Sequence, residues 1–144
     1  MNLPSERISF QVGETASLSK EITLRDIETF ASISGDNNPI HLDKVFAEQS
    51  IFKGQIAHGM LVAGLISAVL GTKLPGIGTI YRSQSLRFKA PVYPGDTITV
   101  TVKITEWNDT NGKAILETKV VNQRGELVVD GEANIVMASF ISKK

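Results

Sequence analysis

The sequence predicts an α+β fold in which a curved antiparallel sheet of about five strands wraps around one long central helix. Two observations carry that prediction. Residues 60–70 are apolar at every position except Gly64 and Ser67, a pattern that fits a helix enclosed by other elements rather than one lying on a surface. From Ile77 onward the hydrophobic period changes to two, and the alternating stretches are joined by short connectors rich in Gly, Pro, Asn and Asp. With 144 residues the whole chain, 1–144, fits one domain that buries enough surface to fold without staples, and it has no cysteine to make any.

Taken in order, Ile8, Phe10 and Val12 alternate with polar residues and predict a short strand ending at Gly13. Thr23 is the expected cap of a helix, with Asp26 completing a capping box. Leu24, Ile27, Phe30 and Ile33 follow at helical spacing, and Gly35 stops the helix in the left-handed conformation that glycine adopts cheaply. Asn37, Asn38 and Pro39 form a stiff turn, since proline fixes its own φ and drives Asn38 out of the helical region. Asp43 is placed to cap a short helix through Val45, Phe46 and Ala47.

After the central helix, closed by Gly71, Ile80, Leu86 and Phe88 predict one face of a long strand. Ile98, Val100, Val102 and Ile104 predict the next, then Leu116, Thr118 and Val120, then Leu127, Val129, Ala133 and Ile135. The connectors 91–96, 108–113 and 122–125 have hairpin composition. A long apolar helix in one antiparallel sheet is the layout of a hot-dog fold, with cystatin-like and ferredoxin-like layers as the other candidates.

Lysine plus arginine balance aspartate plus glutamate at 15 each, and no basic tract appears, which argues against a nucleic-acid or membrane-surface partner. The apolar run is too short for a bilayer span, and residues 1–10 lack the basic start and apolar core of a leader. The absence of cysteine excludes thiolate catalysis and fits a reducing compartment. A soluble cytoplasmic protein is the expectation.

The chemistry concentrates in residues 34–43. Asp36 and His41 are two titratable side chains on a stiffened turn, and His41 is one of only two histidines. An imidazole can take or give a proton at neutral pH, and a carboxylate can share a water molecule with it. The same residues also suit an ordinary tight loop, with Asp36 bonding its own backbone and His41 anchoring the turn. His58 reads either as a cap or packed core histidine, or as a catalytic group. Gly59 stands at the first turn of the central helix, where its N–H has no intrahelical partner and the helix dipole is positive. A carbonyl docked there would be polarised; packing against the sheet is the competing reason for a glycine. Gly59, Ala63, Ser67 and Leu70 fall on one helix face with small side chains at three of the four places, so that either a sheet or a ligand packs closely there.

Residues 35–43, Gly-Asp-Asn-Asn-Pro-Ile-His-Leu-Asp, resemble the hydratase-2 motif of R-specific enoyl-CoA hydratases in the MaoC-like dehydratase group of hot-dog proteins. The similarity continues through residues 30–34, His58-Gly59-Met60, residues 83–88 and residues 91–96, and spans roughly residues 15 to 137. It implies reversible addition of water to a trans-2-enoyl-CoA, giving the R-3-hydroxyacyl-CoA. Asp36 and His41 would then activate the water and the Gly59 N–H would polarise the thioester. Asn38, Ala63, Ser67, Leu70 and Gln84 are the residues expected around the substrate, the face of Gly59, Ala63, Ser67 and Leu70 lining the acyl pocket and Leu70 limiting its depth to short chains.

The resemblance also implies a homodimer, no metal and no redox cofactor, with coenzyme A arriving as part of the substrate. Arg82, Arg87 and Lys89 are candidates for its phosphates. A hot-dog thioesterase and a non-catalytic acyl-CoA binding module are the alternatives. The first would want a carboxylate on the central helix, which has none between Met60 and Leu70.

Overall fold

A computed structural model describes residues 5–141; the first four residues of the stretch read for a leader lie outside it. The strands are β1 (Thr15–Glu21), β2 (Thr79–Gln84), β3 (Arg87–Phe88), β4 (Thr97–Trp107), β5 (Lys113–Val121) and β6 (Leu127–Met137). They form one antiparallel sheet in the order β1-β4-β5-β6-β2, with β3 also paired to β6. The helices are α1 (Leu24–Ser34), α2 (Pro39–Leu42), α3 (Lys44–Glu48) and α4 (Gly59–Thr72), and a 3-10 turn follows at Ala138–Phe140. The expected α+β layout holds, with six strands where about five were expected.

Strands β4 and β5 obey the period-two reading. Ile98, Val100, Val102 and Ile104, with Leu116, Thr118 and Val120, are completely buried and form a core with Val62, Ile66, Val69 and Leu70 of α4. At about 25 cal/mol per Å² of apolar surface, this layer is the main source of stability. The hairpins close through side chains: Asn108 Oδ1 accepts from the N–H groups of Thr110 and Asn111, and Asn122 Oδ1 from those of Arg124 and Glu126.

Four local expectations change. The first strand is Thr15–Glu21, paired to β4, and not the stretch around Ile8 to Val12. Only Phe10 is buried there, its ring edge-on to Trp107, while Ile8 and Val12 are exposed. On α1 only Ile27 and Ala31 are buried, and Ile33 is 80 % exposed. Successive steps of three residues drift by about 60° around a helix of 3.6 residues per turn, so a stripe from Leu24 to Ile33 ends on the opposite side.

The predicted long strand through Ile80, Leu86 and Phe88 is broken between β2 and β3. The Ser85 carbonyl enters the space where Gly131 lacks a side chain, 1.8 Å from where a Cβ would stand. Leu86 packs on the core while Ile80 and Phe88 remain exposed. Finally, α4 runs past Gly71 to Thr72 and is not enclosed all round. Met60, Gly64, Ser67 and Gly71 form an open stripe at i, i+4, i+7 and i+11.

Candidate active site

The loop between α1 and α2 is built by local bonds before any tertiary contact is needed. Gly35 takes φ +80° and caps α1, its N–H donating to the Ala31 carbonyl at 2.9 Å. The Asp36 N–H donates to Ser34 Oγ, and Asp36 Oδ1 accepts from the Asn38 N–H. Asn38 caps α2 by accepting from the Ile40 N–H at 3.1 Å, with Pro39 at the first helical position, where its missing N–H costs nothing. His41 therefore sits on one turn of helix rather than in open loop.

Both histidines are fixed by main-chain carbonyls. His41 Nδ1 donates to Ile56 O at 2.7 Å, and because a carbonyl can only accept, the proton is on Nδ1, which in the neutral ring leaves the lone pair on Nε2. His58 Nε2 donates to the Asp36 carbonyl at 2.9 Å by the same reasoning. The two rings stack with centroids 3.8 Å apart, and Phe30 packs on the other side of His58 at 4.7 Å. His58 is 2 % exposed, and its Nδ1 finds no protein partner. The Nε2 bond ties the backbone of Asp36 to the residue that opens α4.

Donor atoms of Asp36, His41 and His58 lie within 4.8 Å of one another. That separation lets one water touch two of them at ordinary hydrogen-bond length. Among the described residues these three are also the one group whose donors could gather round a cation, though each ring has one nitrogen already committed.

The start of α4 completes the arrangement. His58 occupies the cap position without a capping side-chain bond, the first turn holds no acid, and no protein group accepts from the Gly59 N–H among the described residues. A Cβ on Gly59 would stand 2.6 Å from the Phe88 ring, so the glycine lets that ring lie directly against the helix start. Asp36, His41, His58 and Gly59 open into one cavity of about 430 Å³, with apolar walls that include Val62, Phe88 and Val129. Preorganised N–H groups at a helix terminus beside an acid–base pair suit a reaction that builds charge on a carbonyl oxygen.

The chain matches the family model described as MaoC like domain over residues 9–126. It belongs to that family. This MaoC-like chain is 48 % identical over 131 residues to the (R)-specific enoyl-CoA hydratase of Rhodospirillum rubrum, covering 87 % of this chain and 86 % of the relative. It is 47 % identical over 135 residues to the 3-hydroxybutyryl-CoA dehydratase of Methylorubrum extorquens, covering 91 % and 85 % respectively. The solved (R)-hydratase from A. caviae superposes with a TM-score of 0.87 at 44 % identity, over 90 % of this MaoC-like chain and 98 % of that one. The hot-dog reading of the fold follows.

The other expected substrate residues are placed differently. Ala63 and Leu70 are buried in the core, Leu70 at 1 % exposure, and Ser67 is exposed on the open stripe of α4. The cavity takes Gly59, Met60 and Val62 from that helix instead. The boundary between buried and open sides of α4 cuts through the expected face, so Leu70 does not form the floor of this cavity. Gln84 spends its amide within the fold, donating to Thr118 Oγ1 and Ser85 O and accepting from the Tyr81 hydroxyl. Asn38 acts on the loop as its cap. His58 was ambiguous in the sequence, because nothing there shows that its ring reaches back 22 residues to Asp36.

Proposed function

We propose that this protein is an R-specific enoyl-CoA hydratase in which Asp36 and His41 activate the water and the Gly59 N–H holds the thioester. The observation that carries the reading is that Asp36, His41 and Gly59 line one cavity, with ligand atoms of Asp36 and His41 within 4.8 Å of each other and no protein acceptor for the Gly59 N–H among the described residues. In the forward direction the water oxygen bonds to C3 of the enoyl thioester as Asp36 and His41 take its proton. The π electrons move to the carbonyl oxygen, where the Gly59 N–H and the positive end of α4 stabilise the enolate. The enolate then collapses and C2 receives the proton from the same acid–base pair. The curated relatives carrying hydratase and dehydratase names support both the direction-neutral chemistry and its R stereochemistry.

The reaction so written draws on no metal or redox cofactor, and coenzyme A enters only as part of the substrate. We also infer a homodimer joined along the β2–β3 edge. That edge exposes Ile80, Tyr81 and Phe88 and leaves backbone groups unpaired, a surface that proteins normally cover. No described helix is long and apolar enough to cross a membrane, and the absence of cysteine supports a cytoplasmic address. The test is to mix the protein with crotonyl-CoA and follow loss of the conjugated enoyl-thioester absorbance. Chiral analysis should return the R-3-hydroxy product; no turnover with any enoyl-CoA refutes the reading.

A further inference from the structure

Three cations were candidates for the phosphates of a thiol carrier, and the fold brings one of them to the reaction cavity. Arg82 lies at a separate hollow of about 660 Å³, beside Trp107 and Lys113, which shares no lining residue with the catalytic cavity. Arg87 stands opposite Asp130 across the β3–β6 pair and lines neither hollow. Lys89 lines the catalytic cavity and is the only lysine or arginine among the described residues that does.

Its position is fixed by the main chain: the Lys89 N–H donates to Val128 O at 2.7 Å, just beyond β3. The preceding residue is Phe88, whose ring covers Gly59. Phe88 and Lys89 line the same cavity as Gly59, which puts a cation beside the place where the proposed thioester binds. None of the four ion pairs among the described residues involves Lys89, so its exposed ammonium is free to take an anion.

We propose that Lys89 binds the phosphate of the substrate's phosphopantetheine arm and thereby favours phosphorylated carriers over plain pantetheine. This rests on the hydratase reading. Coenzyme A and carrier proteins present the same phosphopantetheine phosphate, whereas only coenzyme A adds an adenine nucleotide. An ammonium meets that phosphate as a point charge through charge-assisted hydrogen bonds, weakened by solvent and salt because the lysine is exposed.

The experiment compares crotonyl-CoA, crotonyl-phosphopantetheine and crotonyl-pantetheine on the full chain. The measured quantity is kcat/KM for each phosphorylated thioester divided by that for crotonyl-pantetheine. In Lys89→Ala both ratios should fall about three- to tenfold, the range of a partly solvated charge-assisted bond, and further in Lys89→Glu. The loss should shrink at high salt, and Arg82→Ala should leave both ratios unchanged. Ratios equal to the parent's in both Lys89 variants overturn the proposal, as does a loss confined to crotonyl-CoA, which would assign Lys89 to the nucleotide. If the parent turns over none of the three thioesters, the hydratase reading fails, and calorimetric titration of phosphopantetheine, with pantetheine as the control, decides the Lys89 question. Weaker binding by Lys89→Ala then supports it, and equal binding overturns it.

Discussion

Helices α1 and α4 begin in opposite ways. At α1 the Thr23 hydroxyl accepts from the Asp26 N–H at 3.1 Å and the Asp26 carboxylate accepts from the Thr23 N–H at 2.9 Å, so local side chains satisfy the first turn. At α4 the cap position holds His58, whose ring turns away to Asp36, and the Gly59 N–H is left without a protein acceptor among the described residues. An uncapped helix start costs about 1 kcal/mol relative to a capped one. The contrast separates two uses of the same backbone feature. One terminus is closed for stability, and the other is left open where the proposed reaction holds a carbonyl oxygen.

The strongest way to break this comparison is to remove the groups that the open terminus faces. Asp36→Asn and His41→Gln should each lower kcat for crotonyl-CoA by about 10² to 10⁴, the contribution of a positioned acid–base group. Steady-state kinetics on variants with parental circular dichroism checks this. Undiminished rates would mean that the start of α4 serves packing alone.

A smaller loss is expected from His58→Phe. Phenylalanine keeps a flat ring between Phe30 and His41 but cannot donate to the Asp36 carbonyl. It also removes the unpartnered Nδ1, so the melting temperature should hold or rise while kcat drops about 10- to 100-fold through misplacement of Asp36. His58→Gln, which restores an N–H donor, should recover part of that loss. Equal kcat in His58→Phe and the parent would show that the tether does not position Asp36.

Much of this contrast was legible in the sequence because both termini are written locally. Thr23 and Asp26 are three residues apart, Gly35 and Asn38 follow turn chemistry, and Gly59 opens an apolar run. The β4 and β5 strands were legible because one face of each is completely buried, which enforces strict alternation. Edges were harder. Strand β1 carries only Ala16 and Leu18 toward the core and is otherwise polar, so Ile8 to Val12 looked more strand-like than the strand that forms. The break at Ser85 depends on Gly131, a contact between segments far apart in the chain. The exposure of Ser67 on α4 was hidden for a similar reason. Helical spacing groups residues by angle, but which angle faces the sheet is set by packing.

The closed terminus offers the mildest test, and one with a pH signature. The Thr23 N–H, followed by the Lys20 ammonium at 3.0 Å, holds the Asp26 carboxyl below its ordinary value of 3.8. A carboxyl depressed in the folded state contributes stability above its unfolded value, and that contribution is lost as pH falls through the lower folded value. Asp26→Asn should therefore be less stable than the parent by about 0.5–1 kcal/mol at neutral pH, as for the loss of a cap bond and its dipole partner. Urea unfolding should show the gap intact at pH 6 and closing below pH ~3.8 as both proteins become uncharged at this position. The kcat per folded molecule should not change at either terminus's expense, because Asp26 touches nothing in the cavity. A gap that persists unchanged into acid would show that the side chain acts through packing, and the electrostatic half of the contrast between α1 and α4 would fall.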